Sequence, residues 1–350
     1  MNSYYNERSV RHPRAGRFLL LLLLSVISMT ALTGCRDNAI PQRLSGQAQG
    51  TYYSIQYFDP EGRDLQPQID SLLNDFDLTA SLWVDSSLLR RVNRNETTSI
   101  TPLFADLLDK SLAITEYTDG AFDCRIGRIV QLWGFSFRER QHPDSLALDS
   151  LLRAAHATVS REGLTLLKAS PSTELDFNAI AQGYSADLVG RLLDSNGIHN
   201  YLVDIGGEVV ARGGKPDGRP WRVGIERPAA DSMSAPVVQT SIALRDASVV
   251  TSGNYRKYYE EDGVRYSHTI DPATGHPVRH SLLSVSVVER ESWLADALAT
   301  AYMVMGLDSA RAFIAAHPNG PGTDAVLFIY DSCGTLKEYS TQGFIKLEKQ

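Results

Sequence analysis

Trp293 to Met305 reads WLADALATAYMVM, and only Asp296 and Thr300 break its apolar character. An alanine-rich apolar run of this kind forms a helix, and a helix without a polar face has to be enclosed by other elements. A lone ionised carboxylate inside it is expensive to bury. Asp296 therefore needs a partner: a cation, a basic side chain or hydrogen-bond donors. Asp296 and Thr300 stand four residues apart and share one helix face. A carboxylate beside a hydroxyl suits a hard cation such as Mg²⁺. The alternative is that Asp296 lies near the helix start and is satisfied by backbone N–H groups and the helix dipole. On this segment alone, that alternative is the commoner arrangement.

The surroundings of the helix read as mixed α and β. Thr51–Phe58 has strand character. Ile69, Leu72, Leu73 and Phe76 have helical spacing. Thr101-Pro102 marks a helix start whose apolar face is Leu103, Leu107, Leu108 and Leu112, and whose end falls near Asp119-Gly120. Tyr184–Asn196 reads as a helix stopped by Gly197. Strand signals recur at Tyr201–Ile205, Trp221–Glu226, Ser248–Thr251, Arg265–Ile270, Leu282–Val288, Asp324–Tyr330 and Leu336–Tyr339. Adjacent strands without regular helical crossovers point to hairpins. The fold class expected is α+β, with largely antiparallel or mixed sheets and packed helices. There is room for two lobes, although no Pro/Gly/Ser-rich linker separates them.

Composition excludes several classes. The chain has 350 residues, 43% hydrophobic and 21% charged, which is ordinary globular usage and not that of a disordered, collagen-like or coiled-coil protein. Its net charge of −7 argues against nucleic-acid binding, which needs a concentrated basic surface. Three cysteines are too few for a disulfide scaffold or a thiolate cluster. Cys124 and Cys333 either pair or stay apart.

The N-terminus reads as an address. Arg8, Arg11, Arg14 and Arg17 precede an apolar stretch from Phe18 to Leu32, the pattern of a secretory signal. The stretch ends Leu32-Thr33-Gly34-Cys35, which resembles a bacterial lipobox. Its apolar core of about 15 residues is shorter than the roughly 20 a spanning helix needs. Residues 1–34 are expected as a lipoprotein signal peptide, Cys35 as the lipidated residue, 35–48 as a tether and 49–350 as the folded domain. An exported lipoprotein held at a membrane and facing the periplasm or cell exterior follows.

Further segments carry candidate chemistry. Leu175 to Tyr184 (LDFNAIAQGY) leads from a strand into a helix, whose first N–H groups favour phosphate, and Asp176 can serve a cation or a ribose. Val203 to Glu208 (VDIGGE) places Gly-Gly after a strand, as a turn or an anion nest. Thr251-Ser252-Gly253 follows. His268, in HTIDPATG, is a strand-borne imidazole beside a turn, either structural or a general base. Thr118 to Asp123 (TDGAFD) allows a tight reversal with a polar end.

In this order the pieces resemble the ApbE family, the FAD:protein FMN transferases. The matching residues are Gly50-Thr51, Gly120-Ala121-Phe122-Asp123, Leu132-Trp133-Gly134, Asp176 to Tyr184, Val203 to Gly207, Thr251-Ser252-Gly253, His268 to Gly275 and Ala295 to Thr300. The resemblance implies a Mg²⁺-dependent enzyme that takes FAD as substrate. Such an enzyme attaches FMN through a phosphoester to a threonine hydroxyl of a partner protein and releases AMP. The partner it implies is an exported FMN-carrying domain of a membrane redox complex. Carried over by position, Asp296, Thr300 and the carbonyl of Ala179 match the metal ligands. Gln49, Trp83, Ala121, Phe122, Asp123, Asp176, Gln182 and Ile270 match FAD contacts, and His268 and Asp296 match catalytic positions. The chain departs from the family pattern at Gln49, where Met is frequent, at Phe177-Asn178, where Gly-Gly is frequent, at Gln182, where Lys is frequent, and at Cys124. Hydrolysis of FAD to FMN and AMP, or flavin binding without turnover, are the alternatives.

Overall fold

The computed structural model describes residues 1, 39–135, 145–228, 237–254, 258–261 and 264–350. Residues 2–38, which include the expected signal segment and Cys35, lie outside the described residues. Met1–Ala39 separates as a unit of its own.

Strands β1 (Ile40–Ala48) and β2 (Thr51–Asp59) pair antiparallel, with Ala48 opposite Thr51. Gln49 and Gly50 form the turn between them, both at positive φ (54° and 72°), which is the two-residue hairpin geometry that matches strand twist. The segment expected as a tether is thus a strand from Ile40 onward. Only Leu44 of β1 is buried, so the strand lacks the apolar alternation by which sequence reveals a strand.

Three helices follow: α1 (Gln66–Ala80), α2 (Leu88–Asn93) and α3 (Pro102–Tyr117). The Thr101 hydroxyl accepts from the Phe104 N–H and Pro102 occupies the first turn, as the sequence predicts. Helices α4 (Gly127–Leu132) and α5 (Ser145–Ala155), the hairpin of β3 (Val159–Glu162) and β4 (Thr165–Lys168), and helix α6 (Ala181–Ser195) come next. The remainder is β5 (Tyr201–Ile205), β6 (Glu208–Arg212), β7 (Trp221–Arg227), β8 (Val237–Leu244), β9 (Ala247–Gly253), β10 (Tyr258–Glu261), β11 (Val264–Ser267), β12 (Leu282–Glu289), α7 (Ser292–Ala316), β13 (Ala325–Ser332), β14 (Thr335–Ser340) and α8 (Gln342–Glu348).

Eight strands form one sheet in the order β1-β2-β5-β6-β9-β12-β13-β14, and every neighbouring pair is antiparallel. Strand periodicity sorts its two faces. Val250, Val285, Val287, Val326 and Phe328 face α7, packing on Leu298, Ala299, Tyr302 and Met303. Their neighbours Val249, Val288, Leu327 and Ile329 pack on the other side with Trp221, Ile242 and Leu244 of the β7–β8 hairpin and Phe344 of α8. Helix α6 joins the first face through Ala186, Val189 and Leu193. The apolar helix of the sequence is therefore enclosed by sheet and helices. Helix α7 breaks at Gly306, whose φ of 74° and ψ of 170° are not helical. His280 Nε2 lies 2.7 Å from the Met303 carbonyl oxygen and satisfies an acceptor beside the break.

Ile40–Gln350 is one compact unit, so the room for two lobes is not used. Cys124 is buried and Cys333 exposed, and both are free thiols, which settles their pairing. Among the described residues no helix is long and apolar enough to cross a membrane.

Candidate active site

The site grows from the crossing of α6 and α7. Gly183, in the first turn of α6, donates its N–H to Asp296 Oδ2 at 3.0 Å. A Cβ on Gly183 would stand 2.4 Å from the Ser292 carbonyl oxygen and 2.8 Å from Asp296 Cβ, so only glycine allows this approach. Asp296 is 5% exposed. Burial pushes its pKa up to about 7; the Gly183 N–H opposes that, and the nearby charge of Asp187 adds to it. Among the described residues Asp296 makes no ion pair. Its own helix does not satisfy it either. The N–H groups of Ser292 and Trp293 at the start of α7 are taken by Asp187 of α6, at 3.0 and 2.9 Å. Burial pushes Asp187 up to about 6.

One turn further along α7, Thr300 Oγ1 lies 3.3 Å from Ser252 Oγ on β9. This brings the Thr251-Ser252-Gly253 segment to the Asp296 face. Among the described residues no three His, Cys, Asp or Glu side chains are placed to hold a metal together. A cation at this crossing would therefore rest on mixed oxygen donors: the Asp296 carboxylate, the Thr300 hydroxyl and a backbone carbonyl such as that of Ala179.

Asp176 sits at the entry to α6. Its N–H donates to the Cys124 carbonyl at 2.7 Å, which ties it to the Ala121–Asp123 segment. Asp176 Oδ1 accepts from the Asn178 N–H at 2.8 Å and starts the turn that carries Ala179 into the helix. Asp176 Oδ2 is buried with no hydrogen-bond partner among the described residues. Burial pushes the group up to about 6. Phe122, Phe177, Ile180, Ala297 and Ala301 share one apolar cluster, so the motif segments are fastened together by their non-polar members.

Gln182, Gly206 and Thr51 meet beside this entry. A Cβ on Gly206 would lie 2.8 Å from both Gln182 Nε2 and Thr51 Cγ2. The Gln49-Gly50 turn is thereby held next to α6 and to the Gly206-Gly207 turn. Both polar side-chain atoms of Gln49 are buried without a hydrogen-bond partner among the described residues.

The other expected residues are placed as follows. The Phe122 side chain is core, 2% exposed. Asp123 is bound by Arg125, with Nε and Nη2 each 2.8 Å from a carboxylate oxygen. Ala121 lies half-buried in the turn after α3. Ile270 packs with Ile129 and Leu148, and the following turn is clamped by the Trp133 indole N–H on the Gly275 carbonyl at 2.7 Å. The His268 ring stands 6.3 Å from that of Phe135. The Gly127 N–H donates to the Glu174 carbonyl at 3.1 Å, which links this region through α4 to the Asp176 segment. Trp83 is 59% exposed on the turn between α1 and α2, where its backbone N–H donates to Ser81 Oγ at 3.0 Å.

The profile of the ApbE family matches residues 49–326. The chain belongs to the ApbE family. It is 37% identical over 334 residues to the FAD:protein FMN transferase of Vibrio cholerae, covering 92% of this chain and 97% of that one. The FAD:protein FMN transferase of Escherichia coli is 36% identical over 283 residues, covering 77% and 79%. Among solved structures, the flavin transferase ApbE from Vibrio cholerae superposes with a TM-score of 0.77 at 35% identity, covering 88% of this chain and 99% of that one. The apo flavinyl transferase ApbE from Pseudomonas stutzeri gives 0.77 at 32%, covering 89% and 98%. The antiparallel sheet with packed helices is the fold of these ApbE proteins.

Two features of this ApbE chain escaped sequence reading: the role of Gly183 as the contact point of α6 and α7, and the capping of α7 by Asp187. A signal for both existed. Gly183 and Asp187 are four apart on one helix face, in a helix whose spacing buries Tyr184, Ala186, Val189 and Leu193.

Proposed function

We propose that this protein transfers FMN from FAD to a threonine hydroxyl of a partner protein. The observation that carries the proposal is likeness along nearly the whole chain to FAD:protein FMN transferases, 92% of it in one case. The threonine Oγ attacks the phosphorus on the FMN side of the pyrophosphate. The P–O bond to AMP breaks, AMP leaves, and the threonine proton goes to a base. His268 is the imidazole assigned to accept it, because a hydroxyl is a weak nucleophile without a base. Asp176 Oδ2 and the Gln49 amide, buried and unpartnered among the described residues, offer polar contacts to the nucleotide. The Gly183 N–H holds the Asp296 carboxylate at 3.0 Å.

Asp296, Thr300 and the Ala179 carbonyl fit Mg²⁺, since all three are hard oxygen donors and the carboxylate has no counter-charge among the described residues. When bound, Mg²⁺ supplies neutralisation of charge at the pyrophosphate. We also infer export and lipid attachment at Cys35, on the strength of the basic and apolar leader ending in Gly34-Cys35. The acceptor is then an exported flavin-carrying domain at the same membrane.

The test is incubation with FAD, Mg²⁺ and a threonine-bearing acceptor domain, followed by intact mass and AMP release. Gain of FMN mass matched by AMP is the expected result. AMP without mass gain identifies an FAD hydrolase, and FAD binding with neither product identifies a flavin carrier. His268→Ala is expected to slow transfer by about 10²-fold or more with FAD affinity retained. Wild-type transfer in that variant would leave His268 a structural residue.

A further inference from the structure

We propose that Asp187 is a positioning residue for the cation-binding carboxylate, an inference that rests on the reading of Asp296 as a metal ligand. The first N–H groups of a helix need acceptors, and the usual source is the residue flanking the helix start. In α7 that residue is Glu291, and its side chain makes no such bond. The acceptor comes instead from another helix. Asp187 uses Oδ1 on the Ser292 N–H and Oδ2 on the Trp293 N–H. One turn earlier on α6, the Gly183 N–H donates to Asp296.

The two links run in opposite directions. An acid of α6 holds the backbone of α7, and an acid of α7 is held by the backbone of α6. Residues 183 and 187 are one turn apart, as are 292 and 296, so the four positions close a frame. Its width is fixed where Gly183 meets the Ser292 carbonyl. Within the frame Asp296 has one direction, with Thr300 one turn on against Ser252.

A neutral serine at position 291 would cap α7 without burying a charge. Asp187 is 5% exposed and carries that charge into the interior. Buried acids beside a cation's ligands orient those ligands and add to the negative field that attracts the ion. Asp187 therefore acts on the cation through Asp296 and α7, without ligating it.

The experiment titrates Mn²⁺ onto the full chain in the presence of FAD and reads free Mn²⁺ by electron paramagnetic resonance. Asp187→Asn keeps the shape and one acceptor oxygen but turns its amide NH₂ toward the second α7 N–H, so its melting temperature is read beside its Mn²⁺ binding. Its Mn²⁺ dissociation constant is expected to rise about 10-fold or more. A second comparison separates positioning from capping. Asp187→Ala lowers the melting temperature, and adding Glu291→Ser gives α7 a local cap. Recovery of the melting temperature with Mn²⁺ affinity still weak supports the inference. Recovery of both makes Asp187 a plain helix cap and overturns it. Asp296→Ala serves as the control for the underlying reading. Loss of Mn²⁺ binding in Asp296→Ala with wild-type binding in Asp187→Asn overturns the positioning role alone. Equal binding by wild type and Asp296→Ala removes the metal reading and this inference with it.

Discussion

Asp296→Asn is expected to abolish Mg²⁺-supported FMN transfer and, in the same variant, to make the metal-free chain more stable above neutral pH. Loss of the charged ligand removes several kcal/mol of transition-state stabilisation, roughly 10³-fold in rate. The gain in stability has a separate origin. Folding buries the Asp296 carboxyl and pushes its pKa up to about 7, whereas the unfolded chain titrates near 4. Between those values the folded chain holds a proton that the unfolded chain has released. Stability of the metal-free protein therefore falls as pH rises from about 4 to about 7, by an amount on the order of 2–4 kcal/mol. Asparagine cannot ionise, and its amide oxygen still accepts from the Gly183 N–H. Urea denaturation of wild type and variant at pH 5 and pH 8, without metal, measures the effect. The wild type should lose more stability than the variant over that interval, with Mg²⁺ narrowing the gap. Parallel losses in the two proteins would show that Asp296 carries no buried charge.

Gly183→Ala is the second large effect. The added Cβ would meet the Ser292 carbonyl oxygen at 2.4 Å and Asp296 Cβ at 2.8 Å. Neither atom is the end of a flexible side chain, so α6 and α7 must move apart. Overpacking of this kind costs about 1–3 kcal/mol or more. The separation also lengthens the Gly183 N–H bond to Asp296, so transfer should fall with stability. A urea midpoint and an FMN-transfer rate measured on the same preparation check both. A variant with wild-type midpoint and rate would show that the crossing is looser than the structure places it.

Much of the architecture was readable because it depends on local periodicity. The α3 start at Thr101-Pro102 and the strand Tyr201–Ile205 fall where the residues place them. So does the apolar part of α7, whose expected end at Met305 is where Gly306 leaves helical geometry and a second helical stretch begins. Strand β1 was not readable, since a sheet edge with one buried residue has no apolar pattern to detect. At the candidate site the sequence singled out Asp296, Thr300 and Asp176 as polar residues in apolar or turn settings. It was less informative about Phe122 and Asp123. The first is occupied by the core and the second by Arg125, and neither contact has a spacing signature.

The sequence alone determined that an acid lies inside an apolar helix and that its motifs follow the order of the ApbE family. Both are properties of residue type and spacing along the chain. Only the tertiary structure decided what satisfies that acid. The alternative open from sequence was the helix's own N–H groups. The structure gives those to Asp187 and gives Asp296 the Gly183 N–H of another helix. The reason is physical: hydrogen-bond partners more than a hundred residues apart are set by how closely two helices approach. That approach depends on a missing Cβ facing a particular carbonyl, a relation no local pattern encodes.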